Sequence, residues 1–98
     1  MIKKLLPPVH PGEILPEEFM PPLELSSNAL ARAIDVTPAR VNDIASEKRG
    51  ITADSALRLG RYFGTTPELW MNLQKRYELE TARRELGGKL AYIRPRAA

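Results

Sequence analysis

Apolar residues recur at the spacing of an α-helix in five segments, each with a recognisable start or stop. Pro11-Gly12 opens the first, with Ile14, Leu15 and Phe19 on one side. Pro16 is tolerated there because it falls near the first turn, where few amides have intrahelical partners. Met20-Pro21-Pro22 is expected to end it, since a residue before proline is pushed out of the α region. Ser26 and Ser27 are alternative N-caps for a second helix carrying Ala29, Leu30, Ala31, Ala33 and Ile34. Asp35-Val36 interrupts the pattern, and Thr37-Pro38 restarts it with a capping hydroxyl and a proline at the first helical position. This third helix buries Val41, Ile44 and Ala45 and is expected to end at Lys48-Arg49-Gly50.

Thr52 caps a fourth helix, whose expected apolar face is Ala53, Ala56, Leu57, Gly60 and Phe63, with Gly64 closing it. Thr66-Pro67 opens the last and longest, with Leu69, Trp70, Leu73 and Tyr77 as its apolar positions and Leu79 as a further candidate, ended by Gly87-Gly88. The pattern predicts an all-α, five-helix bundle in a single domain spanning 1–98. Residues 1–9 read as an arm, 10–86 as the helical core, and 87–98 as a tail, either flexible or a short strand through Leu90 to Ile93. No internal repeat is visible.

Composition narrows this picture. Cysteine is absent, which excludes structural disulfides and thiolate metal sites and suits a reducing compartment. Only Leu5 and Leu6 stand between two lysines and two prolines near the N-terminus, too short a run for a signal-peptide core, and no segment is long enough to span a bilayer. The expected setting is cytoplasmic. The net charge of +3 is small but uneven: residues 1–25 carry −2 and residues 76–98 carry +3. A dimer would double the total and attract phosphate weakly.

Two helices joined by a very short turn, Ser27 to Asp35 and Thr37 to Ser46, match the helix-turn-helix that presents its second helix to a DNA major groove. Ala31 is small where the helices cross, and Ile34, Val36, Val41 and Ile44 supply a shared apolar wedge. The outward positions of the second helix, Thr37, Ala39, Arg40, Asn42, Asp43 and Ser46, are short or polar and leave base edges accessible. The pattern alone leaves a plain pair of bundle helices as an equal reading.

Flanking motifs separate the two. His10-Pro11-Gly12-Glu13-Ile14-Leu15, the helix-turn-helix, Arg49-Gly50-Ile51-Thr52, and Gly64-Thr65-Thr66-Pro67-Glu68-Leu69-Trp70 occur in one order. Over about residues 9–80 the chain resembles the HigA family of antitoxins, within the wider XRE/Cro–C1 class of lambda-repressor-like DNA-binding proteins. The resemblance implies a homodimer that represses its own operon at a palindromic operator. It also implies a partner toxin of the HigB/RelE-like kind, a ribosome-dependent mRNA endonuclease. Two other readings are a stand-alone XRE-family regulator without a toxin and a toxin-binding module that has lost its operator. This chain departs from the family at Asp35, where the inter-helix turn usually has glycine; Asp tolerates a left-handed backbone better than most side chains.

Among the candidate DNA contacts, Arg40 suits a bidentate grip on guanine O6 and N7, with a phosphate contact or a solvated face as the alternatives. Asn42 suits adenine. Asp43 either accepts from cytosine N4 or orients Arg40. Thr37, Ser46, Ser27 and Asn28 suit phosphate, the last two at a helix start, with Pro38 and Ala39 alongside on the helix tip. Lys48 and Arg49 lie beyond the helix, within reach of the DNA backbone. Leu69, Trp70, Leu73 and Tyr77 are expected to be shared between core and a two-fold interface, which places two recognition helices about 34 Å apart. His10, the only histidine, lacks converging partners for metal binding or catalysis and reads as a packed turn residue. Glu17 and Glu18 point apart on a helix and form no paired-carboxylate site. Neither enzymatic activity nor a cofactor is expected.

Overall fold

The computed structural model describes residues 8–96; most of the expected N-terminal arm, residues 1–7, lies outside them. Five α-helices follow in order: α1 (Pro11–Ile14), α2 (Ser27–Ile34), α3 (Pro38–Ala45), α4 (Ala53–Phe63) and α5 (Pro67–Leu86). No strand occurs among the described residues. The expected boundaries hold because their chemistry is local. Ser26, Thr37, Thr52 and Thr66 each accept a bond from an amide three residues on, at 3.1 to 3.3 Å, satisfying one of the donors that a helix start leaves orphaned.

The first segment is shorter as an α-helix than its apolar spacing implies. Beyond Ile14 the backbone widens into a π-turn over Leu15–Phe19, closed by Met20 N–H donating to the Leu15 carbonyl at 3.1 Å. Pro16 has no amide to donate, so the ladder is free to lengthen by one residue there. Nor does Met20 leave the α region before proline as expected. It remains right-handed (φ −79°, ψ −41°) and leads into a 3₁₀ turn over Pro21–Leu23. Pro21 and Pro22 occupy the start of that turn, where missing amides are least costly. Burial of the Met20 side chain holds the bend in place.

Leu15, Leu30, Ala31, Val41, Ile44, Ala56, Leu59 and Trp70 form the centre of one core. Trp70 is completely buried. Its ring lies 4.8 Å from Phe19 and 6.3 Å from Phe63, so α5, α4 and the π-turn meet over one aromatic cluster. On α4 the buried face differs from the expected one: Leu59 is 1% exposed and Leu57 60%. The residues that turn inward, Ala56, Leu59, Gly60 and Phe63, keep the i, i+3, i+4, i+7 spacing of one stripe, from which Leu57 is rotated away. The tail beyond α5 is not a strand: Gly87–Tyr92 winds in 3₁₀ turns, exposed along its length.

His10 is a turn residue packed against the bundle, as expected, and its environment explains why. It is 3% exposed, its Nδ1 accepts from Gly12 N–H at 2.8 Å to cap α1, and its ring meets Tyr77 of α5 edge-on at 4.7 Å. Burial lowers its pKa below the ordinary 6.5, partly opposed by nearby Glu47. The unfolded chain therefore takes up this proton first as pH falls. The contribution of His10 to stability is therefore expected to be fully present above about pH 6.5 and to fall below it, chiefly because the charged ring is poorly solvated where it is buried. Thermal denaturation at pH 7.5 and 5.5 should show a lower melting temperature at the acid value. His10→Asn, which still caps but does not titrate, should flatten that dependence; an unchanged slope in the variant would assign the acid sensitivity elsewhere.

Candidate nucleic-acid interface

Helices α2 and α3 are joined by Asp35, Val36 and Thr37. Asp35 adopts the left-handed conformation (φ 57°, ψ 54°) that the turn requires. Val36 N–H then donates back to the Ala31 carbonyl at 3.0 Å. Ala31, Ile34, Val41 and Ile44 are buried between the two helices and Val36 is partly buried, which is the apolar wedge expected from the sequence.

The turn is also braced from below by a residue that the local pattern did not single out. Arg58 on α4 donates through Nη1 to the carbonyls of Ile34 and Asp35, at 2.8 and 3.0 Å. These are carbonyls that the end of a helix leaves without intrahelical donors. The guanidinium thus ties α4 to the end of α2 and the turn that leads into α3.

Side chains of α3 divide as their spacing predicts. Val41 and Ile44 face the core, while Pro38, Ala39, Asn42 and Ser46 are exposed, with Arg40 and Asp43 partly so. Ala39, Asn42, Asp43 and Ser46 fall on one outward stripe. Thr37, Lys48 and Arg49 are exposed at the two ends of the helix. Ser27 and Asn28 form the first turn of α2; Asn28 is exposed and Ser27 partly so, and the cap itself is Ser26. The result is a helix presenting small and hydrogen-bonding side chains between basic residues.

Two electrostatic pairings differ from expectation. Asp43 does not orient Arg40; its carboxylate meets Arg49 at 3.7 Å, while its backbone carbonyl accepts from the amides of Lys48 and Arg49. Arg40 is held instead by Asp54, in the first turn of α4. Asp54 lies at the surface, and the hydrogen bonds from Arg40 and then Arg58 keep its carboxyl below the usual range. Its pairing with Arg58 has a local signal that the sequence reading did not use, an acid four residues before a base on one helix. The pairing with Arg40, fourteen residues away across a turn, has no local signal.

The segment after α3 also ends differently. Its left-handed residue is Glu47 (φ 64°), not Gly50. At Gly50 the missing side chain lets the Gln74 amide lie close, since a Cβ there would stand 2.7 Å from its nitrogen. Buried Gln74 uses that proximity to accept from Ile51 N–H at 2.7 Å, tying the α3–α4 loop to α5.

The expected two-fold stripe divides between interior and surface. Trp70 lies wholly in the core of the chain and has no surface to offer a partner. Leu69 is exposed, and Leu73 and Tyr77 are partly buried beside Pro8, Val9 and Ile14, where they line a shallow groove. None of the described helices is long and apolar enough to cross a membrane.

Comparison with known proteins matches residues 22–70 to the helix-turn-helix family HTH_3. The structure of Pseudomonas aeruginosa antitoxin HigA with the higBA promoter superposes with a TM-score of 0.87 at 50% identity, covering 92% of this chain and 99% of that one. Virulence-associated protein I of Dichelobacter nodosus is 52% identical over 85% of this chain and 77% of its own length. Antitoxin HigA-1 of Vibrio cholerae is 33% identical, over 90% and 83% respectively.

Proposed function

Starting from the premise that this chain belongs to the HigA family of helix-turn-helix antitoxins, we propose that it binds operator DNA through α3 and represses its own operon as a homodimer. The observation that carries the reading is the outward stripe of α3, Asn42 and Ser46 included, with the half-exposed Arg40 beside it, on a helix that follows the left-handed turn at Asp35. The Pseudomonas relative was solved with promoter DNA, which supports it. In this reading Arg40 contacts a guanine and Asn42 an adenine. Thr37, Ser46, Ser27, Asn28, Lys48 and Arg49 hold phosphates, and Pro38 and Ala39 let the helix tip enter the groove.

Two copies are needed because one helix reads only a half-site; a palindrome with half-sites about 34 Å apart matches a two-fold dimer. Leu69, Leu73 and Tyr77 supply the apolar part of that contact. The second activity is neutralisation of a HigB/RelE-like toxin encoded beside this chain, a reading supported by the antitoxin relatives.

Arg40→Ala should weaken binding to a duplex taken from the DNA upstream of the reading frame by about 1–3 kcal/mol, and relax preference at one base pair per half-site. Fluorescence anisotropy on the duplex and its single-base variants measures both. Unchanged affinity and preference would remove Arg40 from the contact set. Co-expression with the adjacent reading frame tests the toxin: growth arrest relieved by this chain, and recovery of both as one complex, are expected. A neighbour that is harmless and does not co-purify would leave a stand-alone regulator.

A further inference from the structure

The carboxylate that touches Arg40 comes from outside the helix-turn-helix. Arg40 Nη1 and Arg58 Nε both donate to the same oxygen, Asp54 Oδ2, the second at 2.9 Å. Arg58 is itself tied to the backbone of Ile34 and Asp35. A continuous set of contacts therefore runs from the inter-helix turn, through Arg58 and Asp54, to the tip of α3. Among the described residues Arg40 makes no other side-chain bond, so its Nε and Nη2 are unoccupied.

We infer that Asp54 is a positioning residue for base recognition: it grips one side of the Arg40 guanidinium and leaves the Nε–Nη2 edge aimed for a guanine. The inference rests on α3 being the helix that reads DNA. Its physical content is pre-organisation. A long side chain fixed in one rotamer before binding loses less conformational freedom when it pairs with a base, and a fixed donor edge discriminates more sharply than a mobile one. Charge would otherwise argue against a carboxylate on this surface, because DNA phosphates repel it. Flanked by two arginines, the Arg40–Asp54–Arg58 cluster is net positive, and the repulsion is offset.

Positioning and simple structural support predict opposite changes on non-specific DNA. Asp54→Asn keeps the size of the side chain and removes its charge. Preference for the guanine that Arg40 contacts should fall about tenfold. Affinity for an unrelated duplex should rise about twofold, since one negative charge has left the surface. In the Arg40→Ala background the same substitution should leave base preference where Arg40→Ala put it. Anisotropy titrations of the full chain and its three variants, on operator, base-substituted operator and unrelated duplex, measure all of this, with melting curves alongside.

A parallel loss of affinity on every duplex with a lower melting temperature would make Asp54 a structural brace and overturn the inference. A parallel gain on every duplex would make it an electrostatic brake and overturn it equally. If the parent chain ignores the operator, or Arg40→Ala leaves preference intact, the reading of α3 has failed. If those results hold and only Asp54→Asn is silent, the positioning role alone has failed.

Discussion

Trp70→Ala is expected to cost about 3–5 kcal/mol, the usual range for truncating a fully buried aromatic. For a domain of this size the loss corresponds to a fall in melting temperature of about 15 °C or more. The indole is completely buried, packs on Phe19 and Phe63, and donates from Nε1 to Thr65 Oγ1 at 3.0 Å. Truncation removes the contact that joins α5 to α4 and the π-turn, and the rings around it cannot collapse far enough to refill the space. Trp70→Phe separates the contributions: it keeps most of the aromatic packing, loses the hydrogen bond, and should cost about 1–2 kcal/mol. Because Trp70 has no exposed surface, any effect on self-association should follow unfolding. A variant that melts like the parent but no longer self-associates would return Trp70 to the interface and contradict this packing.

Gly12→Ala is expected to destabilise the fold by about 3 kcal/mol, lowering the melting temperature by about 10 °C or more, though alanine is normally the better residue within a helix. A Cβ at Gly12 would overlap the Ile44 carbonyl oxygen and stand 2.8 Å from His10 Nδ1. Both neighbours are fixed: one is backbone near the end of α3, and the other is the cap of α1. The methyl therefore forces α1 away from α3 and strains the cap at once. Hydrogen exchange should show α1 opening first. A variant that melts at or above the parent's temperature would show that α1 can shift at little cost, and that the close approach is incidental.

Both predictions depend on contacts between elements distant in the chain, and the same division separates what could be read from the sequence from what could not. Each helix start after α1 was legible, because a serine or threonine hydroxyl and the amide it accepts from are three residues apart. The left-handed turn at Asp35 and the wedge of Ala31, Ile34, Val41 and Ile44 were legible for similar reasons: they depend on spacing within one short segment. The buried face of α4 was misplaced because Leu57 and Leu59 are equally apolar; packing against α5 and α2 decided between them. The π-turn after Ile14 was also missed, since its cause, Pro16, is as compatible with a helix start as with a bulge.

The candidate interface followed the same rule. Which side chains of α3 face outward was fixed by helical periodicity and by the apolar residues that must face inward. The composition of that surface, with one arginine, one amide, one carboxylate and short hydroxyls, was therefore settled by the sequence alone, as was the all-α architecture. The tertiary structure decided the partners: Arg40 with Asp54, Asp43 with Arg49, Arg58 with the carbonyls of the turn, and Trp70 in the interior rather than at a surface. The physical reason is range. Caps, turns and periodicity are interactions between residues a few positions apart. An ion pair fourteen residues apart, or an aromatic ring enclosed by three elements, exists only once the chain has closed upon itself.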